Sequence, residues 1–395
     1  MSVNLLEDIN FLRYYCTFLN TFLVVPWYDF KKNIICYPFL AKLYATCLIL
    51  IRISLIVFTC TDQKLMQIWA QSLVMSQKFI MVFLISNLII FSTYSIANSA
   101  FLDISRWINL FKNLRLVDKI FGKHEKNGHY LSKRFLCVFI MKHISFICIT
   151  GHEIYTWSIF IDMPFYKIFL QTGYVDLVFE FFLIMFMAAL LKSFEVRYKT
   201  LNKKLIHISN QKMNQVEVKK FMQIYRILGQ NIQIFNELFG YPIVFMLFHF
   251  GVGAVSCLNF LFVYGIMTQP EMALFHNMII GNICIILQIL LNFLTILSSI
   301  NATAREAKNF LQSCYRIREE FLHDSINLQA LDKLIEHSKF FMQEFSTNGC
   351  FTLNKSIVFS LLANISTYLI ITLQLNESQY QNVTAQNCSS IAKPI

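Results

Sequence analysis

The chain has 395 residues, 56% of them hydrophobic and only 14% charged, with a formal net charge of +11. Water-soluble domains run at roughly 45–50% apolar and about 25% charged, so an ordinary soluble fold is excluded. With 40 Phe against 11 Gly and 6 Pro, lipid must solvate much of the surface. The eleven cysteines lie no closer than eleven residues apart (Cys36/Cys47 and Cys137/Cys148), which leaves no C-x-x-C metal or redox pair.

A membrane-crossing helix needs about 20 largely apolar residues. In chain order such runs fall at 43–60, 79–99, 135–158, 173–191, 241–266, 273–298 and 357–375, the third interrupted by Lys142 and His143. The expectation is an all-α, polytopic membrane protein of seven transmembrane helices. Residues 1–40 show no short basic segment followed by a small-residue cleavage site, so no cleaved signal peptide is expected.

Lys and Arg in the connections set the orientation. Segment 101–134 carries eight, 192–236 carries nine and 301–350 carries six. The alternate connections 61–78, 159–172 and 267–272 carry two, one and none. This alternation predicts a cytosolic N-terminus and an extracellular C-terminus. Three N-x-[ST] glycosylation sequons, at Asn376, Asn382 and Asn387, lie in the tail assigned to the outside, where the glycosylating enzymes act. The basic balance is therefore a topology signal and not a nucleic-acid footprint. The orientation is the reverse of a G-protein-coupled receptor, which would need the six-charge connection outside.

The chain divides into a cytosolic N-terminus (1–42), helices one to four (43–191), a cytosolic helical region (192–236), helices five and six (237–300), a second cytosolic helical region (301–350), the last helix (351–375) and an extracellular tail (376–395). In the first cytosolic region Leu201, Leu205 and Ile208, then Phe221, Ile224, Tyr225 and Leu228, follow helical i, i+3, i+4, i+7 spacing. Phe310, Leu311, Cys314 and Ile317, then Leu328, Leu331, Leu334 and Ile335, repeat it in the second. Such one-sided helices pack on each other or on a neighbouring subunit as a scaffold.

On the last helix Ser360, Asn364, Thr367, Ile371 and Gln374 lie within an arc of ~80° at 100° per residue. In lipid this polar stripe must face protein or water. One reading is a hydrogen-bonding face between helices. The other is a water-filled pore made by several copies about an axis, with a ring of Ile371 closing it by dewetting and Gln374 amides just outside.

The stretch Thr367-Tyr368-Leu369-Ile370-Ile371-Thr372-Leu373-Gln374-Leu375 resembles the T-Y-x5-Q-F signature that ends the last helix of insect gustatory receptors, with Leu375 in place of Phe. Phe235-Asn236-Glu237-Leu238-Phe239-Gly240 resembles the segment those receptors carry at the start of helix five. The odorant-receptor branch is similar overall. The resemblance implies a plasma-membrane, small-molecule-gated, non-selective cation channel of sensory neurons. It would be a homo- or heterotetramer with related receptor subunits, its last helices lining one central pore. By position in the motif, Ile371, Gln374 and Leu375 become the pore and gate residues, and a tastant would bind in the outer half of helices two to six.

Candidate ligand-binding residues in that outer half are Phe83 and Asn87 on helix two, and His152, Glu153, Tyr155 and Trp157 on helix three. Helix four offers Gln171, Tyr174, Asp176 and Glu180, helix five Asn259, Phe260 and Tyr264, and helix six His276 and Asn277. Aromatic walls with a few convergent polar groups suit a small-molecule pocket, while Trp and Tyr also serve as membrane-interface anchors. Asp176 and Glu180, four apart near mid-membrane, either receive a polar ligand or neutralise Arg52 on helix one. No cofactor or metal is expected, since no His or acidic pair has ligand spacing apart from the adjacent His152-Glu153. There is no G-x-S-x-G, P-loop or H-E-x-x-H motif, so no enzyme is expected. A secondary transporter would show paired Gly/Pro breaks; Gly251 and Gly253 in helix five have no counterpart elsewhere.

Overall fold

A computed structural model describes residues 8–32, 34–63, 66, 75–122, 132–171, 173–209, 215–266, 272–320, 325–354, 356–371 and 374. The tail sequons and Leu375 lie outside these residues. Helices α1 (Asp8–Leu19), α2 (Pro38–Thr61) and α3 (Met75–Ala97) come first, followed by a π-turn (Asn98–Leu102) and α4 (Ile104–Phe121). Then come α5 (Lys133–Ile161), the short α6 (Phe165–Gln171), α7 (Tyr174–Ser209), α8 (Gln215–Ile266), α9 (Met272–Glu320) and α10 (Ser325–Phe341). The last helix, α11, spans Ser356–Ile371. Two two-residue strands, Tyr28–Asp29 and Ile34–Ile35, pair antiparallel before α2. Among the described residues six helices are long and apolar enough to cross a membrane, and α11 is a shorter apolar one; the protein is a multi-pass helical membrane protein.

Helices α7, α8 and α9 run far beyond bilayer thickness, at 36, 52 and 49 residues. Their polar extensions gather on the side of the basic connections, and the apolar faces read from the sequence meet there. Leu201, Leu205, Tyr225, Leu228, Phe310, Cys314, Leu331 and Leu334 are all fully buried in one core. The basic connection 101–134 holds a helix that the hydropathy reading passed over. Trp107, Leu110, Phe111, Leu114 and Val117 give α4 one buried face, and α4 lies along α8. Arg197, with no exposed side-chain surface, ties α7 to α4 through a two-pronged bond to Asp118 (2.9 and 2.8 Å).

Within the bundle α7 is central: from Phe179 to Leu191 nearly every residue is buried, and its interface with α9 is the most extensive in the protein. Helix α5 continues unbroken through Lys142 and His143 because both find partners. Lys142 bonds Thr295 and the Leu291 carbonyl on α9, and His143 meets the Tyr15 hydroxyl of α1 at 3.2 Å.

Helix α8 contains Pro242. Proline has no N–H, so the carbonyl four residues earlier, on Leu238, loses its helical partner. Asn98 of the π-turn supplies one, its Nδ2 donating to Leu238 O at 2.9 Å. Three turns away Asn87 Nδ2 donates to Phe245 O at 3.0 Å, so Asn87 of α3 and Asn98 of the π-turn fasten this stretch antiparallel to α8. Asn98→Leu strands a buried carbonyl and is expected to cost about 1–3 kcal/mol. The thermal midpoint of detergent-purified protein is expected to fall, and Asn98→Asp, which can only accept, should fall at least as far as Asn98→Ala.

Candidate functional site

Two acidic residues on α7 sit one turn apart and have separate partners. Asp176 is ion-paired to Arg52 of α2. Ser92 of α3 closes the group, accepting from Arg52 Nη1 at 2.7 Å and donating to Asp176 Oδ1 at 2.5 Å. The Arg52 guanidinium also lies over the Phe179 ring, 5.5 Å from its centroid. A buried charge in a lipid-solvated bundle needs this kind of compensation. Glu180 does not share Arg52. Its Oε2 lies 2.5 Å from His249 Nδ1 on α8, with both side chains buried. His249 was absent from the sequence-derived residues, although a lone imidazole in the middle of an apolar span was the signal available.

Glu180 also lines a small, partly open recess between α5, α7 and α9. Its walls are apolar, with Phe146 and Phe181 stacked at 4.0 Å, Ile149, Ile184, Ile285 and Ile289. Its polar groups are Thr150, Glu180, Gln288 and Asn292. Ser145 donates to Gln288 Oε1 and Gln288 Nε2 donates to Asn292 Oδ1, each at 3.2 Å.

One turn towards the outer end of α5, Glu153 is buried and accepts from Trp157 Nε1 at 2.8 Å. Its other oxygen is pressed against Gly281 of α9, where any Cβ would collide with it. Trp157 and Tyr174 pack on Ile154, Ile161, Met163 and Ile168. Asn259 and Phe260 are buried on α8, whereas Phe83, His152, Tyr155 and Asn277 are exposed on the single chain. The side chains of Gln171, Tyr264 and His276 lie outside the described residues. Of the candidate ligand residues whose side chains are described, only Glu180 lines the recess; Asn87 is engaged in fastening α3 to α8.

Helix α11 packs on the bundle through Ile365, buried among Phe250, Ala254 and Val255, and through Leu361. Ser360, Asn364, Thr367, Ile371 and Gln374 are all exposed, so the polar stripe points away from the chain's own core. The Phe235–Gly240 hexapeptide holds the segment leading into α11. Asn236 Nδ2 donates to Glu344 O at 2.8 Å, and its Oδ1 accepts from Ser346 N at 3.1 Å. Phe235 meets Phe345 edge-on at 5.7 Å. At Gly240 an added Cβ would stand 2.6 Å from the Asn348 nitrogen, so only glycine lets the two backbones approach.

A family profile described as 7tm chemosensory receptor matches residues 9–378. No curated protein matches in sequence. Among solved structures the chain is similar to the insect olfactory receptor OR5 from Machilis hrabei in complex with eugenol, at TM-score 0.65 and 10% identity, over 93% of this chain and 100% of that one. A second structure of that receptor aligns at TM-score 0.60 and 12% identity, with the same coverage.

Proposed function

Since the chain belongs to the 7tm chemosensory receptor family, we propose that it is a gustatory-type receptor subunit that opens as a non-selective cation channel when a small molecule binds. The observation that carries this reading is the polar stripe of α11, which faces away from its own bundle and needs either a second protein surface or water. Four copies about an axis supply both: Ser360, Asn364 and Thr367 line the inner pore, Ile371 closes it, and Gln374 and Leu375 ring the outer mouth. The N-terminus and the long polar helical layer are cytosolic, as the basic connections require. The glycan-bearing tail is extracellular, and the plasma membrane of a sensory neuron is the place of work.

The tastant enters among helices α3 and α5 to α9. Glu153, Trp157, Tyr174, Asn259 and Phe260 form its wall. The olfactory receptor of Machilis hrabei was solved with eugenol, a small aromatic molecule. Binding opens the pore by its higher affinity for the open form. An odorant-type subunit of the same family is the second reading, favoured by the olfactory structural neighbours; the Thr367-Tyr368 pair supports the gustatory one.

The experiment is resting current in cells expressing wild type and Ile371→Ala, with surface delivery read from the glycan lost in Asn382→Gln. Shrinking a hydrophobic constriction wets it, so a several-fold rise in resting cation current is expected from the mutant alone. No leak from surface-delivered mutant overturns Ile371 as the gate and moves the test to Leu375→Ala. Unglycosylated Asn382 in delivered protein overturns the orientation.

A further inference from the structure

We propose that α8 hinges at Pro242, and that Asn98 and Asn87 are positioning residues that hold this hinge, and with it the last helix, in the closed setting. The proposal rests on the channel reading above and assigns the element that moves the gate. Pro242 leaves the Leu238 carbonyl without a helical donor, and a helix bends where its hydrogen-bond ladder is broken. Helix α3 and the π-turn lie across the break as a splint. Asn98 donates to the Leu238 carbonyl on one side of the proline, and Asn87 to the Phe245 carbonyl on the other. Both amides are buried.

The two sections of α8 have different attachments. The section before Pro242 is fixed to α4: Glu237 Oε2 meets Arg106 Nε at 2.7 Å, and Phe239 meets Trp107 edge-on at 5.4 Å. The section after it belongs to the bundle that a ligand enters, with Phe250 stacked on Phe293 of α9 at 6.0 Å and His249 against Glu180 of α7. Helix α11 is attached to both. The chain leading into it is tied to the first section, by Asn236 to Glu344 and Ser346 and by the close approach of Gly240 to Asn348. Its body rides on the second, with Ile365 among Phe250, Ala254 and Val255. Leu361 Cδ1 stands 3.6 Å from the place a Cβ on Gly251 would take. A tilt of the second section therefore carries Leu361 and Ile365 sideways while the foot of α11 stays in place. At 1.5 Å per residue Val255 lies about 20 Å beyond Pro242, so a tilt of ~5° moves it by roughly 2 Å. Helix shifts of that size accompany switching at packed interfaces. Ile371, on the same helix as Ile365, moves with it.

The test is suppression between two sites that share one carbonyl. Asn98→Ala removes the clamp on Leu238 O and is expected to raise spontaneous opening about two- to tenfold, the bias that one neutral hydrogen bond can supply. Pro242→Ala returns a backbone N–H to the same carbonyl, so the double variant should fall back to the wild-type level or below. Openings are counted without ligand in single-channel patches, with delivery checked by cell-surface labelling. A role confined to stability would move the thermal midpoint and leave the opening rate unchanged. No rise in delivered Asn98→Ala, or a rise that Pro242→Ala leaves in place, overturns the proposal. Detergent-purified protein gives a second measurement that needs no delivery. Amide exchange in Asn98→Ala should quicken both at residues 243–245, whose helical bonds cross the hinge, and at residues 361–365 of α11, and slow again at both in the double variant. Quickening in α8 alone leaves α11 uncoupled and also overturns the proposal. The Ile371→Ala leak depends on neither asparagine, so a leak there with no effect of Asn98→Ala overturns the hinge and leaves the channel reading standing.

Discussion

Arg52→Leu is expected to destabilise the protein by about 3–5 kcal/mol, the cost of leaving one partner of a buried ion pair uncompensated. Arg52 and Asp176 have only 12% and 10% of their side-chain surface exposed in the single chain, and α2 meets lipid over most of its length, with Ala41 and Ala45 its buried residues. The ion pair is thus a main tether of α2 to α3 and α7. Set against a total stability of order 5–15 kcal/mol, the loss should remove most protein from the cell surface and lower the detergent thermal midpoint sharply. Arg52→Leu combined with Asp176→Leu should recover much of it, because an apolar pair of similar volume replaces a buried ion pair at little or no cost. Ser92 keeps an acceptor after both changes, the Ile89 carbonyl at 3.1 Å. A double variant no better than the single would show that the charges do more than compensate each other. Glu180 and His249 make the comparison independent, since they do not contact the Arg52 group.

Gly240→Val should separate ligand binding from pore opening. A side chain at this position meets the Asn348 backbone, which cannot rotate away, so the segment entering α11 must shift; overpacking of this kind costs about 1–3 kcal/mol. Asn236→Leu acts on the same joint differently, leaving the Glu344 carbonyl and the Ser346 amide without their partner, at about 1–3 kcal/mol each. Both variants are expected to reach the surface in reduced amount and to lose ligand-evoked current. In the Ile371→Ala background the resting leak should persist, because the pore ring is altered directly and needs no signal from α8. Loss of the leak together with the evoked current would instead place the defect in assembly of the pore.

These two joints mark where sequence reading reaches and where it stops. The apolar runs and the alternation of basic connections lie in consecutive residues, and the bundle has its long apolar helices where those runs stand. The one-sided faces at Leu201, Tyr225, Phe310 and Leu331 were legible for the same reason: helical spacing alone says which side must be covered. The spacing of Trp107, Leu110, Phe111, Leu114 and Val117 carried the same signal for α4, and it was masked by the eight basic residues around it. The N-terminal helix α1 carried it too, in Leu12, Cys16 and Leu19, but its contact with His143 left no local trace, since the pairing spans 128 residues.

The residues of the site divide in the same way. That Asp176, Glu180 and Arg52 needed compensation followed from their place in apolar runs, because a charge in lipid is costly wherever the helices turn. Which partner each took did not follow. Helix rotation, depth and tilt give Asp176 to Arg52 and Ser92, give Glu180 to His249, and turn Phe83 and Tyr155 outward. Asn98 is the clearest case. Nothing near it in the chain shows a need, yet Pro242, 144 positions later, frees a carbonyl that its amide fills. Hydropathy, charge and period are properties of a local segment, and by themselves they determined a multi-pass helical protein, its expected orientation and the polar stripe on its last helix. The pairing of groups, the recess and the glycine contacts depend on how distant helices are set against one another, and only the tertiary structure decided them.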